Sequence, residues 1–195
     1  MRITVPNLLS LLRMGLVPVF ILVVLDGESG KALVVFLVAG ITDALDGFIA
    51  RVWGQQSLLG TYLDPIADKL LLMTAYVVLA IPGQHPGLPI PVWVTVLVLA
   101  RDVFIVIVAL ILHLAAGVKS FKPSWISKLT TVVQVLTVLL VLGSGLTTAL
   151  ESGVTVVAIY LTAVLTLASG LNYLWWAMHI DEQGQEEPGQ AFPED

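Results

Sequence analysis

Long aliphatic runs, each closed by a short polar or Gly/Pro-rich stretch, recur from one end of the chain to the other. Runs of about 20 apolar residues are what a bilayer core demands, and they predict six helices. The first opens at Pro6 and Asn7 and reaches about Leu25, with residues 1–6 at an interface. Proline suits a first helical position because its missing N–H has no partner there anyway. Asp26 to Gly30 turns the chain into a second run, about Lys31 to Trp53. The third starts near Asp64 and stops at Pro82, and Gly83 to Pro89 makes a loop. The fourth, about Ile90 to Ala116, holds Arg101 and Asp102 well inside it. After a basic loop from Lys119 to Pro123 come a fifth, roughly Trp125 to Leu142, and a sixth, about Val154 to Met178. The expected fold is an all-α integral membrane protein of six transmembrane helices behind a short N-terminal interfacial segment. Residues 1–180 are expected to form one membrane domain, and the polar, acidic 181–195 a disordered tail.

Composition sharpens this picture. Of 195 residues, 57% are hydrophobic and only 12% charged, and mean hydropathy is +0.96. Soluble domains carry about twice that share of charge. The absence of cysteine excludes disulfides and thiolate metal sites. The net charge of −5 owes much to the tail and is no guide to partners. The opening MRITVPNLLSLLRMG has no small-residue cleavage site and is expected to lead into the first span, not to act as a removable signal. Six spans put both termini on one side. Arg2, Arg51, Lys69, Lys119, Lys122 and Lys128 fall at one set of helix ends and only Lys31 at the other. Positive charge marks the cytoplasmic side, so an inner-membrane (or equivalent) protein with cytoplasmic termini is expected.

The chemistry concentrates in Ile41 to Leu70, ITDALDGFIARVWGQQSLLGTYLDPIADKL. Asp43 and Asp46 lie three apart, Asp64 and Asp68 four apart, spacings that share a helix face. The stretch reads as two helix ends joined by a polar turn in which Gly60 breaks the segment. Ionisable groups at membrane depth are rare and functional. Four carboxylates facing one arginine need further positive charge, and one or, more economically, two divalent cations supply it. Oxygen ligands without His or Cys suit Mg²⁺, Mn²⁺ or Ca²⁺, and Mg²⁺ is usually shared between carboxylates and substrate phosphates. Gly47 opens a helix face, and the fork of Arg51 matches phosphate oxygens. Together these describe a diphosphate site at the membrane surface.

The order Asp43-x2-Asp46-Gly47-x2-Ala50-Arg51-x8-Gly60-x3-Asp64-x3-Asp68 resembles, without a gap, the motif of the CDP-alcohol phosphatidyltransferases. The resemblance covers about residues 2–178, with the motif between second and third spans as in that family. It implies that Asp43, Asp46 and Asp64 bind the metals, Mg²⁺ or Mn²⁺, and that Asp68 approaches them and serves as general base. It implies that Gly47, Ala50, Arg51 and Gly60 line the CDP end of the lipid donor. The implied reaction is attack of an alcohol on the phosphorus bearing diacylglycerol, with CMP leaving and no covalent enzyme intermediate.

The acceptor pocket is expected elsewhere in the spans. Arg13, Arg101 and Lys128 are candidates, because a cation bordering hydrocarbon wants an anionic partner. Each can instead pair internally or snorkel, and Asp102 can simply neutralise Arg101. Bacterial phosphatidylglycerophosphate synthases typically show Arg-Glu in the fourth span and a Gly-Lys-x-Lys-Thr-like string later. Arg101-Asp102, Lys122 to Gln134 and Pro6 to Arg13 resemble instead the mitochondrial-type cardiolipin synthases. The expected partners are therefore CDP-diacylglycerol and phosphatidylglycerol, or alternatively glycerol 3-phosphate, with membrane lipids around the chain, a possible homodimer and no nucleic acid. From another class, intramembrane acids suit a cation or proton transporter, but these cluster at one face instead of forming a path across.

Overall fold

The computed structural model describes residues 5–53, 58–116, 125–147 and 153–178, with side chains over 11–42, 69–108, 125–147 and 153–175. Among the described residues there are six helices and no strand: α1 Val5–Leu25, α2 Ser29–Trp53, α3 Leu58–Leu79, α4 Val92–Ala116, α5 Trp125–Ser144 and α6 Val154–Met178. Two are long and apolar enough to cross a membrane, Trp125–Ser144 and Val154–Trp175, with mean hydropathies of 1.9 and 2.1.

The expected elements stand with one substantial correction. The third helix starts at Leu58, not near Asp64, so Gly60 lies in its first turn and does not break the segment. Pro65, a natural first-turn residue, suggests the later start, but the helix runs through it. Proline there lacks the N–H that would donate to the carbonyl one turn back, so the helix continues with one hydrogen bond fewer. Lys69 then stands about 17 Å along α3 instead of at its end. Residues 1–4 and the tail lie outside the described residues.

Packing places α3 and α5 inside. α1 lies on α2 and α3, α5 on α6, α2 and α3, and α4 on α6 and α3. Phe20 of α1 meets Phe36 of α2 with ring centroids 5.9 Å apart, and Tyr76, Leu79, Val94, Val98, Val138, Leu142 and Ile159 continue the core. The seam between α5 and α6 is different. Its buried positions, Thr130, Gln134, Thr137, Val141 and Ser144 against Thr155, Ile159, Thr162, Thr166 and Ser169, repeat at alternating spacings of four and three. That is the period of two helices wound along each other. The Thr137 and Thr162 hydroxyls lie 2.8 Å apart, and Thr137 and Thr130 also donate to backbone carbonyls of α6. Small hydroxyl residues let helices approach closely and bond across the contact where no hydrophobic drive exists.

Three connections meet at one end of the bundle. The backbone N–H of Leu88, in the α3–α4 loop, donates to Ser144 Oγ at 3.0 Å. A Cβ on Gly87 would stand 2.5 Å from the Val141 carbonyl oxygen, and one on Gly145 would collide with Ser29 Oγ. The α1–α2, α3–α4 and α5–α6 connections therefore share that end, and the α2–α3 and α4–α5 connections belong to the other. Gly145→Ala is expected to destabilise the protein by about 1–3 kcal/mol through overpacking. Thermal unfolding in detergent measures it; an unchanged midpoint would show that the turns do not touch.

Candidate functional site

The motif residues ride on two helices. Asp43, Asp46, Gly47, Ala50 and Arg51 occupy the last third of α2, and Gly60, Asp64 and Asp68 the first half of α3. Because the backbone is helical through both stretches, each aspartate pair shares one side of its helix. The side chains of residues 43–68 lie outside the described residues. As a donor set, four carboxylates with no nitrogen or sulfur fit a hard cation such as Mg²⁺ or Mn²⁺.

Immediately along these helices is a cavity of about 160 Å³. Arg13 of α1, Ala39 and Gly40 of α2, Leu71 and Leu72 of α3 and Thr131 of α5 line it. Gly40 precedes Asp43 by one helical turn, and Leu71 follows Asp68 by the same interval. α2 and α3 run in opposite directions, so both aspartate stretches lie on the same side of this cavity. Arg13 is only 1% exposed. A guanidinium this deep is expensive unless it serves a neighbouring negative charge. A Cβ on Gly40 would meet nothing within 4 Å, so the glycine contributes open space.

The three acceptor candidates part company. Arg13 borders the cavity. Arg101 is buried in a network: Nη1 donates to Asp102 Oδ1 at 2.7 Å, and Nη2 donates to Ser127 Oγ and Ser169 Oγ at 2.6 Å each. Arg101 and Asp102 are 8% and 5% exposed, so the pair neutralises itself inside the bundle. Lys128 is exposed, its ammonium 5.3 Å from the centroid of the equally exposed Trp125 ring. α5 links the first two places, since Ser127 binds Arg101 and Thr131, one turn on, lines the Arg13 cavity.

Sequence reasoning missed Ser169, Gly40 and the α5–α6 hydroxyl seam. The seam had a visible sign in Thr and Ser recurring every seven residues, at Thr130, Thr137 and Ser144 and again at Thr155, Thr162 and Ser169. Gly40 had none, because a helical glycine in an apolar run reads as ordinary packing.

An all-helical bundle with membrane-crossing helices and an acidic helix pair defines a narrow class of protein. The chain belongs to the CDP-alcohol phosphatidyltransferase family, whose model matches residues 3–178. The family is membrane-associated and generally dependent on divalent metal. Among its relatives, a rat protein named cardiolipin synthase (CMP-forming) is 35% identical over 186 residues, covering 87% of this chain and 60% of that one. A human protein of the same name is 34% identical over the same shares. The chain thus spans 60% of the length of these two relatives. The Escherichia coli K12 protein named CDP-diacylglycerol–glycerol-3-phosphate 3-phosphatidyltransferase is 33% identical over 180 residues, 89% of this chain and 94% of its own.

Proposed function

We propose that this protein moves a phosphatidyl group from CDP-diacylglycerol to the hydroxyl of a glycerol-type acceptor and releases CMP. The observation that carries the reading is the unbroken eight-position motif along α2 and α3, one helical turn from a cavity holding a buried arginine. Arg51, Gly47, Ala50 and Gly60 hold the cytidine diphosphate end. Asp43, Asp46, Asp64 and Asp68 hold the divalent ions, Mg²⁺ or Mn²⁺ and two in number. When bound, the ions supply charge stabilisation for the diphosphate and for CMP as it leaves. Asp68 accepts the acceptor's hydroxyl proton as that oxygen attacks the phosphorus carrying diacylglycerol, and the bond to the CMP oxygen breaks. Arg13, Arg101 and Lys128 serve the acceptor side, Arg13 from the cavity, Arg101 from its fixed network and Lys128 from the rim.

The favoured acceptor is phosphatidylglycerol, giving cardiolipin, in line with the names of the rat and human relatives. Glycerol 3-phosphate is the second reading, supported by the name of the E. coli relative, which this chain matches nearly end to end. A cation or proton transporter has less support, because the acids cluster toward the α2–α3 connection. All six helices span the bilayer in this reading, with the motif toward the cytoplasm. Exposed Trp93 and Tyr160, 6.1 Å apart, and Trp125 and Trp175 toward the other end support it as aromatic anchors at the two surfaces. Residues 1–180 form the membrane domain and 181–195 an acidic cytoplasmic tail dispensable for catalysis.

Purified protein given labelled CDP-diacylglycerol and each acceptor separately tests the reading. The expected products are CMP and cardiolipin from phosphatidylglycerol, with or without the tail. Phosphatidylglycerophosphate from glycerol 3-phosphate alone would replace the acceptor, and no CMP with any alcohol would reject the reaction.

A further inference from the structure

A second opening lies on the opposite flank from α2. Between α4 and α6 runs a groove of about 390 Å³, with α3 and α5 standing between it and α2. Leu97, Ala100 and Phe104 form one wall, and Leu167, Gly170 and Leu174 the other. The walls follow α4 for about 10 Å. α4 and α6 run parallel, so the groove lies along the helices and opens sideways. Its polar spot is confined to one level. Arg101 and Thr166 both line it, and Thr166 is one turn from Ser169, which Arg101 binds. The Thr166 hydroxyl is completely buried and has no hydrogen-bond partner among the described residues. An orphaned hydroxyl costs free energy that an incoming acceptor atom would recover.

We propose that this groove seats one acyl chain of the lipid acceptor, with the chain's ester carbonyl accepting from Thr166 beside Arg101. The inference rests on the reading that the acceptor is phosphatidylglycerol. Three observations carry it. The groove is apolar except for one hydroxyl and one guanidinium, as an ester-linked chain requires. Its polar level lies in the same half of the bundle as the aspartates: Ser169 is in the second half of α6 and Asp43 in the second half of α2, and both helices run toward the α2–α3 connection. The groove is joined to the site through α5, where Ser127 binds Arg101 and Thr131 reaches the Arg13 cavity. The two reaction partners bring two acyl chains each, four in all, and need room for both. With the donor held on α2 and α3, an opening across α5 leaves a separate approach for the second lipid.

Gly170 offers a clean probe. A Cβ there would meet nothing within 4 Å, so Gly170→Leu starts its side chain in open space within the groove. Ala100→Leu, from the exposed opposite wall, repeats the test should the first variant fold poorly. The measurement is KM for dioleoyl-phosphatidylglycerol, for dihexanoyl-phosphatidylglycerol and for CDP-diacylglycerol. Closing the groove one turn from the ester seat is expected to raise KM about tenfold for the dioleoyl and the dihexanoyl acceptor alike, because both place an ester at that level, and donor KM should hold. An unchanged dioleoyl KM in both folded variants would overturn the groove while leaving the reaction intact. A rise in donor KM instead would hand the groove to CDP-diacylglycerol and equally overturn it. Wild-type protein that uses glycerol 3-phosphate but never phosphatidylglycerol would remove the lipid acceptor and the groove's role together.

Discussion

Asp43→Asn and Asp64→Asn are each expected to lower turnover by about a thousandfold or more, while the protein still inserts and purifies as a helical bundle. An asparagine keeps the size of the side chain and one carbonyl oxygen but removes the negative charge that binds a hard cation. Charge stabilisation by such ions amounts to several kcal/mol, and each 1.36 kcal/mol is tenfold in rate. The same loss should follow chelation of wild-type protein, restored by adding Mg²⁺ or Mn²⁺. Asp68→Asn belongs to a different step, and its loss should appear in kcat with donor KM unchanged, because a base acts in the transition state. Full activity after exhaustive chelation would refute the metal role, and full activity of Asp64→Asn would remove that residue from the site.

Asp102→Ala is expected to cost about 3–5 kcal/mol of stability, enough to abolish accumulation of a folded chain under ordinary conditions. Arg101 and Asp102 are both almost wholly buried, and their contact is 2.7 Å. Removing the carboxylate leaves a guanidinium facing two hydroxyls that cannot neutralise it. The double change Arg101→Met with Asp102→Ala should recover much of that loss, because it removes the stranded charge as well. Thermal unfolding of wild type, both single variants and the double variant closes the cycle. If Asp102→Ala unfolds like wild type, the pair is not a buried charge pair.

Much of the architecture was legible because apolar runs and Gly/Pro punctuation report helices directly. The ends of α4 and α6 were expected within two residues of where they stand. The start of α3 was not, because Gly60 was expected to break the segment, whereas α3 begins six residues before Asp64 and takes Gly60 into its first turn. That the motif stretches are helical was readable from the sequence, since three- and four-residue intervals between the aspartates are those of a helix face. The acceptor side was less so. Arg13, Arg101 and Lys128 look alike as isolated cations in apolar sequence, and only packing distinguishes a cavity, a closed network and an exposed ring contact. Ser127 and Ser169 reach Arg101 from 26 and 68 positions away, distances over which no local pattern speaks.

The order of those partners along the chain bears on how the protein is made. Asp102 is the neighbour of Arg101 in sequence, while the two serines arrive only with α5 and α6. On the proposed reading, in which α4 spans the bilayer, its arginine already carries its counter-ion when α4 leaves the ribosome, and the segment would enter the insertion machinery with no net charge at that level. Lone charges at mid-helix are what that machinery resists. Ser127 and Ser169 then find a neutral pair to wrap, so the finished network is assembled by later helices around a centre that was safe to insert before they existed.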